Sequence, residues 1–385
     1  MRYALRPATL GDVGQVAELM REVGFRTPSE AGWRWLYQDN PARNRRHPLP
    51  EIGWVLERDG AVHGFLGNVH LDYVLDGAPL RVATDTSYYV RPGARSESTR
   101  LMSAFFRQPG VDLFLSTTAN EASGSIYRLF KAAVPEDPSF SEELVWVGDD
   151  RVALRNMLTR RKVPATVANG LAALAAPASR LARRLTGFAT PPRGHGHDAV
   201  LTLHPGDLDA RFDELWARVE TAPGLRVRRD AATLRWYLSD PDAGGDPTIF
   251  AVTDEGGLVG YAVVARHRPA ADTAAQMRIL DLVVRPGGER VVPTLVRRVL
   301  ARAREVGVGV GLVYCAPCGA ALAGELKALR PHRLRHAHPL HFLRAAQHAR
   351  TASLASPGIW QATGLDGDTP LCIENVPVSA ARSPG

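Results

Sequence analysis

The stretch FLSTTANEASGSIYRLFKAAVP carries polar and aromatic residues at a spacing that could serve chemistry. Asn120 and Tyr127 are two helical turns apart, so a helix here would present both side chains on one face. Three carboxylates are candidates for accepting a proton from a substrate: Asp85, Glu121 and Asp281. The alternative interpretation is a core aromatic residue with structural carboxylates around it.

A basic turn ahead of a predicted helix is a second candidate. In SYYVRPGARSESTRLMSAFF, an apolar strand leads into a turn containing Arg95 and Arg100, and then into an amphipathic helix. The N-terminus of a helix offers unpaired backbone N–H groups and partial positive charge, which attract phosphate groups. A capped helix with a solvated basic turn would have the same sequence pattern, so the turn alone does not decide between them.

The three cysteines do not indicate a metal centre or a disulfide framework. Cys315 and Cys318 form a lone CAPC motif, and Cys372 stands alone. A structural zinc needs four ligands, and no second CxxC or paired histidine motif lies at finger spacing. We therefore expect no metal, and we interpret CAPC as the end of a strand that runs into a loop.

An internal repeat organises the elements that must position these residues. GWRWLYQDNP, with Trp35, is matched in the second half by TLRWYLSDP, with Trp236. Each segment is followed by two apolar runs around a tight turn, which predict a β-hairpin. The VRPG that starts at Val90 is matched by the VRPG that starts at Val284, and an amphipathic helix and an apolar strand follow in both halves.

Length, repeat and composition predict two globular domains. The chain has 385 residues, of which 45% are hydrophobic and 23% charged. We predict domains at 1–149 and 198–385, joined by a basic Ala/Leu/Pro-rich linker with a helix at 150–197. No long uncharged apolar run and no signal-peptide pattern are present, so we expect a cytoplasmic protein without a membrane partner.

The formal net charge of +7 comes almost entirely from arginine. Such a charge attracts anionic ligands. The basic residues are spread along the chain and no DNA- or RNA-binding motif is present, so we expect no DNA partner.

The order of elements in the first half resembles that of the GCN5-related N-acetyltransferase (GNAT) superfamily. The match includes an RPAT-x-x-D opening and covers residues 1–147 well and 198–345 more loosely. The resemblance implies an α/β fold of two tandem GNAT-like domains, each a central, mostly antiparallel twisted sheet flanked by helices.

The resemblance also implies that the first half binds an acyl-CoA, most simply acetyl-CoA, as co-substrate. Arg95 matches the first position of the family's Gln/Arg-x-x-Gly-x-Gly/Ala turn, but Ser98 and Arg100 replace its glycines. Side chains at these positions narrow the approach for phosphate, and the two arginines would compensate electrostatically. The implied cofactor-binding residues are Tyr89, Val90, Arg95, Ser96, Ser98, Thr99, Arg100, Asn120 and Ser123.

The roles implied for the helix residues are those of a transferase site. Asn120 would contact the pantetheine arm, and Tyr127 would protonate the leaving thiolate as general acid. We favour Asp85 as the general base. The second half lacks the Asn…Tyr pair, and Pro293 in its turn has no N–H to donate, so we expect a degenerate copy there.

We therefore expect an N-acyltransferase that acts on a small amine, such as an amino sugar or a specialised metabolite, as a monomer or homodimer. Two alternatives remain open. The peptidoglycan-bridge aminoacyltransferases also pair two GNAT-like domains, and they use aminoacyl-tRNA as donor. A non-catalytic ligand-binding protein is the other alternative.

Overall fold

The structure, a computed structural model, describes residues 3–371 except 23, 148, 187–199, 244, 246, 268–275, 307, 309, 316–319 and 336–338. In the first half, the strands are β1 (Ala4–Pro7), β2 (Gly53–Arg58), β3 (Ala61–Leu75), β4 (Ala78–Val90), β5 (Leu113–Ser116) and β6 (Glu142–Val145). The helices are α1 (Val13–Glu22), α2 (Glu30–Tyr37), α3 (Pro41–Asn44), α4 (Ser98–Arg107) and α5 (Glu121–Leu129).

Two helices join the halves: α6 (Asp150–Arg160) and α7 (Ala165–Thr186). In the second half, the strands are β7 (Val200–Leu203), β8 (Leu225–Val227), β9 (Thr248–Asp254), β10 (Gly257–His267), β11 (Gln276–Val284), β12 (Val310–Cys315), β13 (His332–Arg335) and β14 (Phe342–Ala345). The helices are α8 (Ala210–Val219), α9 (Ala231–Tyr237), α10 (Val292–Glu305), α11 (Ala320–Ala328) and α12 (Thr351–Ala355).

The predicted fold class is confirmed: the chain forms two mixed sheets of the same design. One has the strand order β1-β2-β3-β4-β5-β14, with β8 paired to the end of β3, and the other has the order β7-β9-β10-β11-β12-β6-β13. In each sheet one pair is parallel, β4 with β5 and β11 with β12, and the remaining pairs are antiparallel. The helix α4 packs on β2 and β3, and its counterpart α10 packs on β9, β10 and β11.

The hairpin predicted in the first half forms as expected. The turn between β2 and β3 uses Asp59 and Gly60, both with positive φ, as a tight hairpin turn requires. In the second half, β9 and β10 pair around Glu255 and Gly256, and Gly257 supplies the positive φ. Local turn chemistry therefore fixes both hairpins.

The two halves exchange one strand each. The strand β6 comes from the first half but pairs with β12 and β13 in the second sheet. Its counterpart β14 comes from the second half and pairs with β5 in the first sheet. The two sheets therefore do not divide the chain at residue 149, and the domain bounds 1–149 and 198–385 remain a prediction from the sequence.

The repeated tryptophans meet where the two halves join. The indole N–H of Trp35 donates to the Trp236 carbonyl at 2.7 Å, and the indole N–H of Trp236 donates to the Trp35 carbonyl at 2.9 Å. The two rings stack with their centroids 5.3 Å apart. This reciprocal contact places a local two-fold axis between α2 and α9.

The predicted linker contains two helices instead of one. They pack against each other, and the guanidinium of Arg183 binds the buried carboxylate of Asp150. A proline inside a helix removes a backbone hydrogen bond and often breaks the helix, but α7 runs through Pro177. Neither helix, nor any other in the described part of the chain, is long and apolar enough to cross a membrane.

The strand exchange predicts that a cut between the halves leaves them associated. A single cleavage within 187–199, at an engineered protease site, should yield two fragments that elute together in size-exclusion chromatography. If the fragments separated, the first sheet would lose β14 next to β5 and the second would lose β6 next to β12, and each would expose an apolar edge. Separate elution of the two fragments in native buffer would contradict the exchange; the same sample in urea shows the positions of the free fragments.

Candidate functional site

The strands β4 and β5 part directly after Thr84. Their parallel pairing covers Val82–Thr84 against Leu113–Leu115, and β4 then continues to Val90 with β3 as its partner. The ladder between β3 and β4 shifts register near Ser87, which has a φ of 52°. Such a bulge bends the strand and leaves a residue outside the ladder. The two strands therefore no longer pair beyond Thr84, and we call the region between the end of β4 and the start of α5 the cleft.

The two predicted catalytic side chains meet at the base of this cleft. The hydroxyl of Tyr127 donates to Asp85 Oδ2 at 2.5 Å, and the Ser116 side chain also hydrogen-bonds to Tyr127. The phenol thus lies between the end of β5 and the first residue of β4 beyond the parallel pairing. Tyr127 is 4% exposed and Asp85 is 5% exposed.

The ring of Tyr127 lies against the exchanged strand. Phe342 of β14 stacks on it with the ring centroids 5.0 Å apart. Gly124, one turn earlier in α5, allows this approach, because a Cβ there would lie 3.3 Å from the Phe342 ring. The position of the tyrosine therefore depends on a residue from the other half of the chain.

Asp85 has an environment that favours its protonated form. Burial and the carboxylate of Asp368 raise the pKa of Asp85 to about 7, against a smaller opposing effect of the hydrogen bond from Tyr127. Burial and the nearby Asp85 raise the pKa of Tyr127 well above its ordinary value. At neutral pH Asp85 can thus both hold and release a proton, while Tyr127 stays protonated.

Asp368 is a residue that sequence reasoning missed. It lies in the C-terminal segment, residues 356–371, which follows α12. Its carboxylate accepts hydrogen bonds from the Thr117 N–H at 2.6 Å, the Thr117 hydroxyl at 2.9 Å and the Thr118 hydroxyl. Burial raises its pKa. The segment TGLDGDTP has no strand or helix periodicity, and nothing in it indicates contact with the end of β5.

The predicted phosphate-binding turn forms a short 3₁₀ helix, Pro92–Glu97, that leads into α4. Arg95 and Ser96 are exposed, and Arg95 has no ion pair with any described residue. Thr99 is exposed and Ser98 half-buried, with the Ser98 carbonyl accepting from the Tyr88 hydroxyl at 3.1 Å.

Arg100 is engaged inside the fold. Its guanidinium binds Glu97 at 2.6 Å and the Tyr3 carbonyl at 2.8 Å. Tyr89 and Val90, at the end of β4, are half-buried, and the Tyr89 ring lies 4.8 Å from the ring of Phe25. Of the two arginines expected near phosphate, Arg95 is therefore the one whose charge is not already paired.

Asn120 and Ser123 together cap α5. Asn120 Oδ1 accepts from the Ser123 N–H at 2.9 Å, and the Asn120 N–H donates to Ser123 Oγ at 2.9 Å, which is a capping box. Asn120 is exposed, and its Nδ2 has no hydrogen bond to the described residues. A cap and a ligand contact through Nδ2 are compatible. Glu121, the alternative base, is exposed in the first turn of α5.

The carboxylate Asp281, on the strand that corresponds to β4, has a different set of partners. Asp281 accepts from the Tyr261 hydroxyl at 3.0 Å, but it also pairs with the buried guanidinium of Arg229 at 2.7 Å. Arg229 in turn pairs with Asp366 at 3.2 Å. Asp281, an alternative candidate for the general base, is therefore held in an ion-pair network.

The described residues contain no group of three or more His, Cys, Asp or Glu side chains that could hold a metal ion. Cys315 ends β12 as expected, and Cys318 and Cys372 lie outside the described residues.

Comparison of sequences identifies no relative: no family model and no curated protein matches the chain. Comparison of structures does. The fold is similar to a GCN5-related N-acetyltransferase from Anabaena variabilis, with 14% identity, a TM-score of 0.53, and coverage of 91% of this chain and 74% of that one. A GCN5-related N-acetyltransferase from Kribbella flavida gives 15% identity, a TM-score of 0.54, and coverage of 92% and 73%.

A third similar structure is a protein from Enterococcus faecalis described as a probable N-acyltransferase. It has 11% identity and a TM-score of 0.56, and the match covers 91% of this chain and 74% of that one. The chain therefore has the GNAT fold over most of its length, as the resemblance in the sequence implied.

The raised pKa of Asp85 predicts a pH-dependent effect of Asp85→Asn. The folded-state pKa of about 7 lies above the value of about 4 in an unfolded chain, so the folded state binds this proton more tightly. Wild-type stability should fall as pH rises through this window, by up to ~4 kcal/mol from this group.

Asparagine has no such ionisation, so the melting temperature of Asp85→Asn relative to wild type should increase from pH 5 to pH 8. Thermal unfolding at a series of pH values measures the difference, in which the other titrating groups largely cancel. A difference that does not change with pH would show that Asp85 titrates normally.

Proposed function

We propose that the protein is an acyl-CoA-dependent N-acyltransferase, with acetyl-CoA as its simplest donor and a small amine, such as an amino sugar or a specialised metabolite, as acceptor. The observation that carries this proposal is the buried contact between Tyr127 and Asp85 where β4 and β5 part. The GNAT fold supports acyl transfer as the class of reaction.

The donor would lie in the cleft of the first half. Beyond Asp85, one edge of β4 has no strand partner among the described residues, so its backbone can pair with an extended ligand such as a pantetheine arm. The pyrophosphate would lie at the N-terminus of α4, near Arg95. The chain offers this positive end together with the exposed Asn120 at the start of α5.

A bound acyl-CoA supplies a thioester, whose carbonyl carbon is attacked by the neutral amine; the C–N bond forms and the C–S bond breaks. Tyr127 Oη holds the proton that the departing sulfur requires. Asp85 acts through Tyr127 in this scheme, as the second member of a proton relay. With a pKa of about 7, it can return a proton to the phenol oxygen and recover one when the amine loses its own.

Tyr127→Phe should lower kcat by about 10²-fold or more, because the thiolate would leave without its proton donor. The KM for acyl-CoA should change little, since the phenyl ring keeps its contact with Phe342. Release of free coenzyme A thiol in the presence of an accepted amine measures both constants.

The matched control is Tyr261→Phe, which removes the hydroxyl of a buried tyrosine bonded to an aspartate in the second half. We expect near wild-type kcat for this variant. If Tyr127→Phe keeps wild-type turnover, or if the two variants lose turnover equally, Tyr127 is not the proton donor.

Arg95→Ala should weaken coenzyme A binding by about fivefold to tenfold, because a solvent-exposed charge-assisted contact to phosphate is lost. Arg290→Ala is the control, since Arg290 is an exposed arginine in the matching turn of the second half. Isothermal titration with coenzyme A measures both.

If Arg290→Ala weakens coenzyme A binding and Arg95→Ala does not, the donor site lies in the second half. Absence of coenzyme A binding by the unaltered protein at millimolar concentration would contradict the proposal and leave aminoacyl-tRNA as the donor to test.

A further inference from the structure

The second half contains a cavity of about 320 Å³ at the end of β11, beyond the residues that pair with β12. A volume of this size is in the range of small-molecule sites. The wall is mainly apolar, with a few polar side chains from β8, the turn after β11 and the C-terminal segment. The lining residues used below are Trp216, Ala222, Arg229, Val283, Glu289 and Thr363.

The cavity exists because two aromatic rings of the first half have small counterparts in the second. In the first half, Phe25 follows α1 and lies against Tyr89 at the end of β4, with ring centroids 4.8 Å apart. Alignment of α8 with α1 and of β11 with β4 places Ala222 opposite Phe25 and Val283 opposite Tyr89. The space that the two aromatic rings fill in the first half is therefore left open in the second half.

Two buried hydrogen-bond donors of lining residues have no partner. Trp216 is 4% exposed, and its indole N–H has no hydrogen bond to any described residue. Arg229 is also 4% exposed, and its Nη1 is unpaired although Nε and Nη2 bind Asp281, Thr363 and Asp366. Buried donors are rarely left without an acceptor. These two donors therefore indicate a hydrogen-bond acceptor on a molecule that binds in the cavity.

The charges around the cavity give no net attraction for an anion, although Arg226 also lines it and donates to the carbonyls of Ala222 and Pro223. Asp281 and Asp366 already pair with Arg229, so a further carboxylate would add negative charge next to two buried ones. Glu289 lines the rim at the position that Arg95 occupies in the first half. Pro293 removes an N–H from the first turn of α10, where phosphate would otherwise bind.

We propose that this cavity is a second binding site, which takes a small, uncharged, mainly apolar molecule with a carbonyl oxygen as acceptor for the indole of Trp216 and the guanidinium of Arg229. The apolar body of the ligand lies against the space left by Ala222 and Val283. Coenzyme A is not its ligand.

Three probes with one alkyl chain separate the chemistries: N-hexylacetamide is neutral with a carbonyl oxygen, hexanoate is anionic, and hexylamine is cationic without an acceptor. Ligand-observed NMR titration of the full chain gives the dissociation constants. We expect N-hexylacetamide to bind at least about tenfold more tightly than either charged probe, and excess coenzyme A should not displace it.

Two variants test the placement. Trp216→Phe keeps an aromatic wall but removes the donor, and it should weaken N-hexylacetamide binding by about tenfold. Ala222→Phe restores the ring that the first half has at Phe25 and should abolish binding. Trp54→Phe changes a buried tryptophan of the first half and should leave the affinity unchanged.

Several results would overturn the proposal. They are wild-type affinity in Ala222→Phe, equal binding of hexanoate and N-hexylacetamide, or displacement of N-hexylacetamide by coenzyme A. Thermal unfolding of each variant confirms that a loss of binding is not a loss of fold. None of these measurements depends on acyl transfer, so they test the second binding site independently of the proposed reaction.

Discussion

The exchange of β6 and β14 between the two sheets is the constraint on which the site depends. Phe342 arrives with β14 and packs on Tyr127, so the half that carries the proposed proton donor does not build its surroundings alone. The stacked pair of Trp35 and Trp236 holds the same two halves together at the local two-fold axis. Folding of the site therefore requires contacts between residues far apart in the chain, which carry a large loop-closure cost.

The C-terminal segment connects the two copies through buried carboxylates. Asp366 pairs with Arg229, whereas Asp368 lies beside Thr117 and Thr118 of the first half. In the second copy Arg229 neutralises Asp281, but in the first copy Asp85 faces a tyrosine and another carboxylate instead of a cation. The carboxyl group on β4 therefore has a raised pKa, whereas the one on β11 is held in an ion pair, and the two copies have different chemical capacities.

Much of the fold could be predicted from the sequence, because hairpin turns, the VRPG turns and the amphipathic helices are local patterns that repeat. Tyr127 could be named through the resemblance that its segment carries, and Asp85 as one of three candidate carboxylates. Their contact could not be predicted, since it joins side chains from a helix and a strand whose packing no local pattern fixes. The exchange of β6 and β14 could not be predicted either, because a strand has the same alternation of apolar and polar residues whether it pairs within its own half or with the other half. Asp368 lies in a segment without periodicity, and residue types alone did not indicate its place.

We propose that the first copy, and not the second, holds the acyl donor. A crystal structure of the full chain with coenzyme A tests it most directly. We expect the pyrophosphate at the N-terminus of α4 beside Arg95, with the sulfur in the cleft within hydrogen-bond reach of Tyr127 Oη. A pyrophosphate at the N-terminus of α10, or a thiol remote from Tyr127, would contradict it.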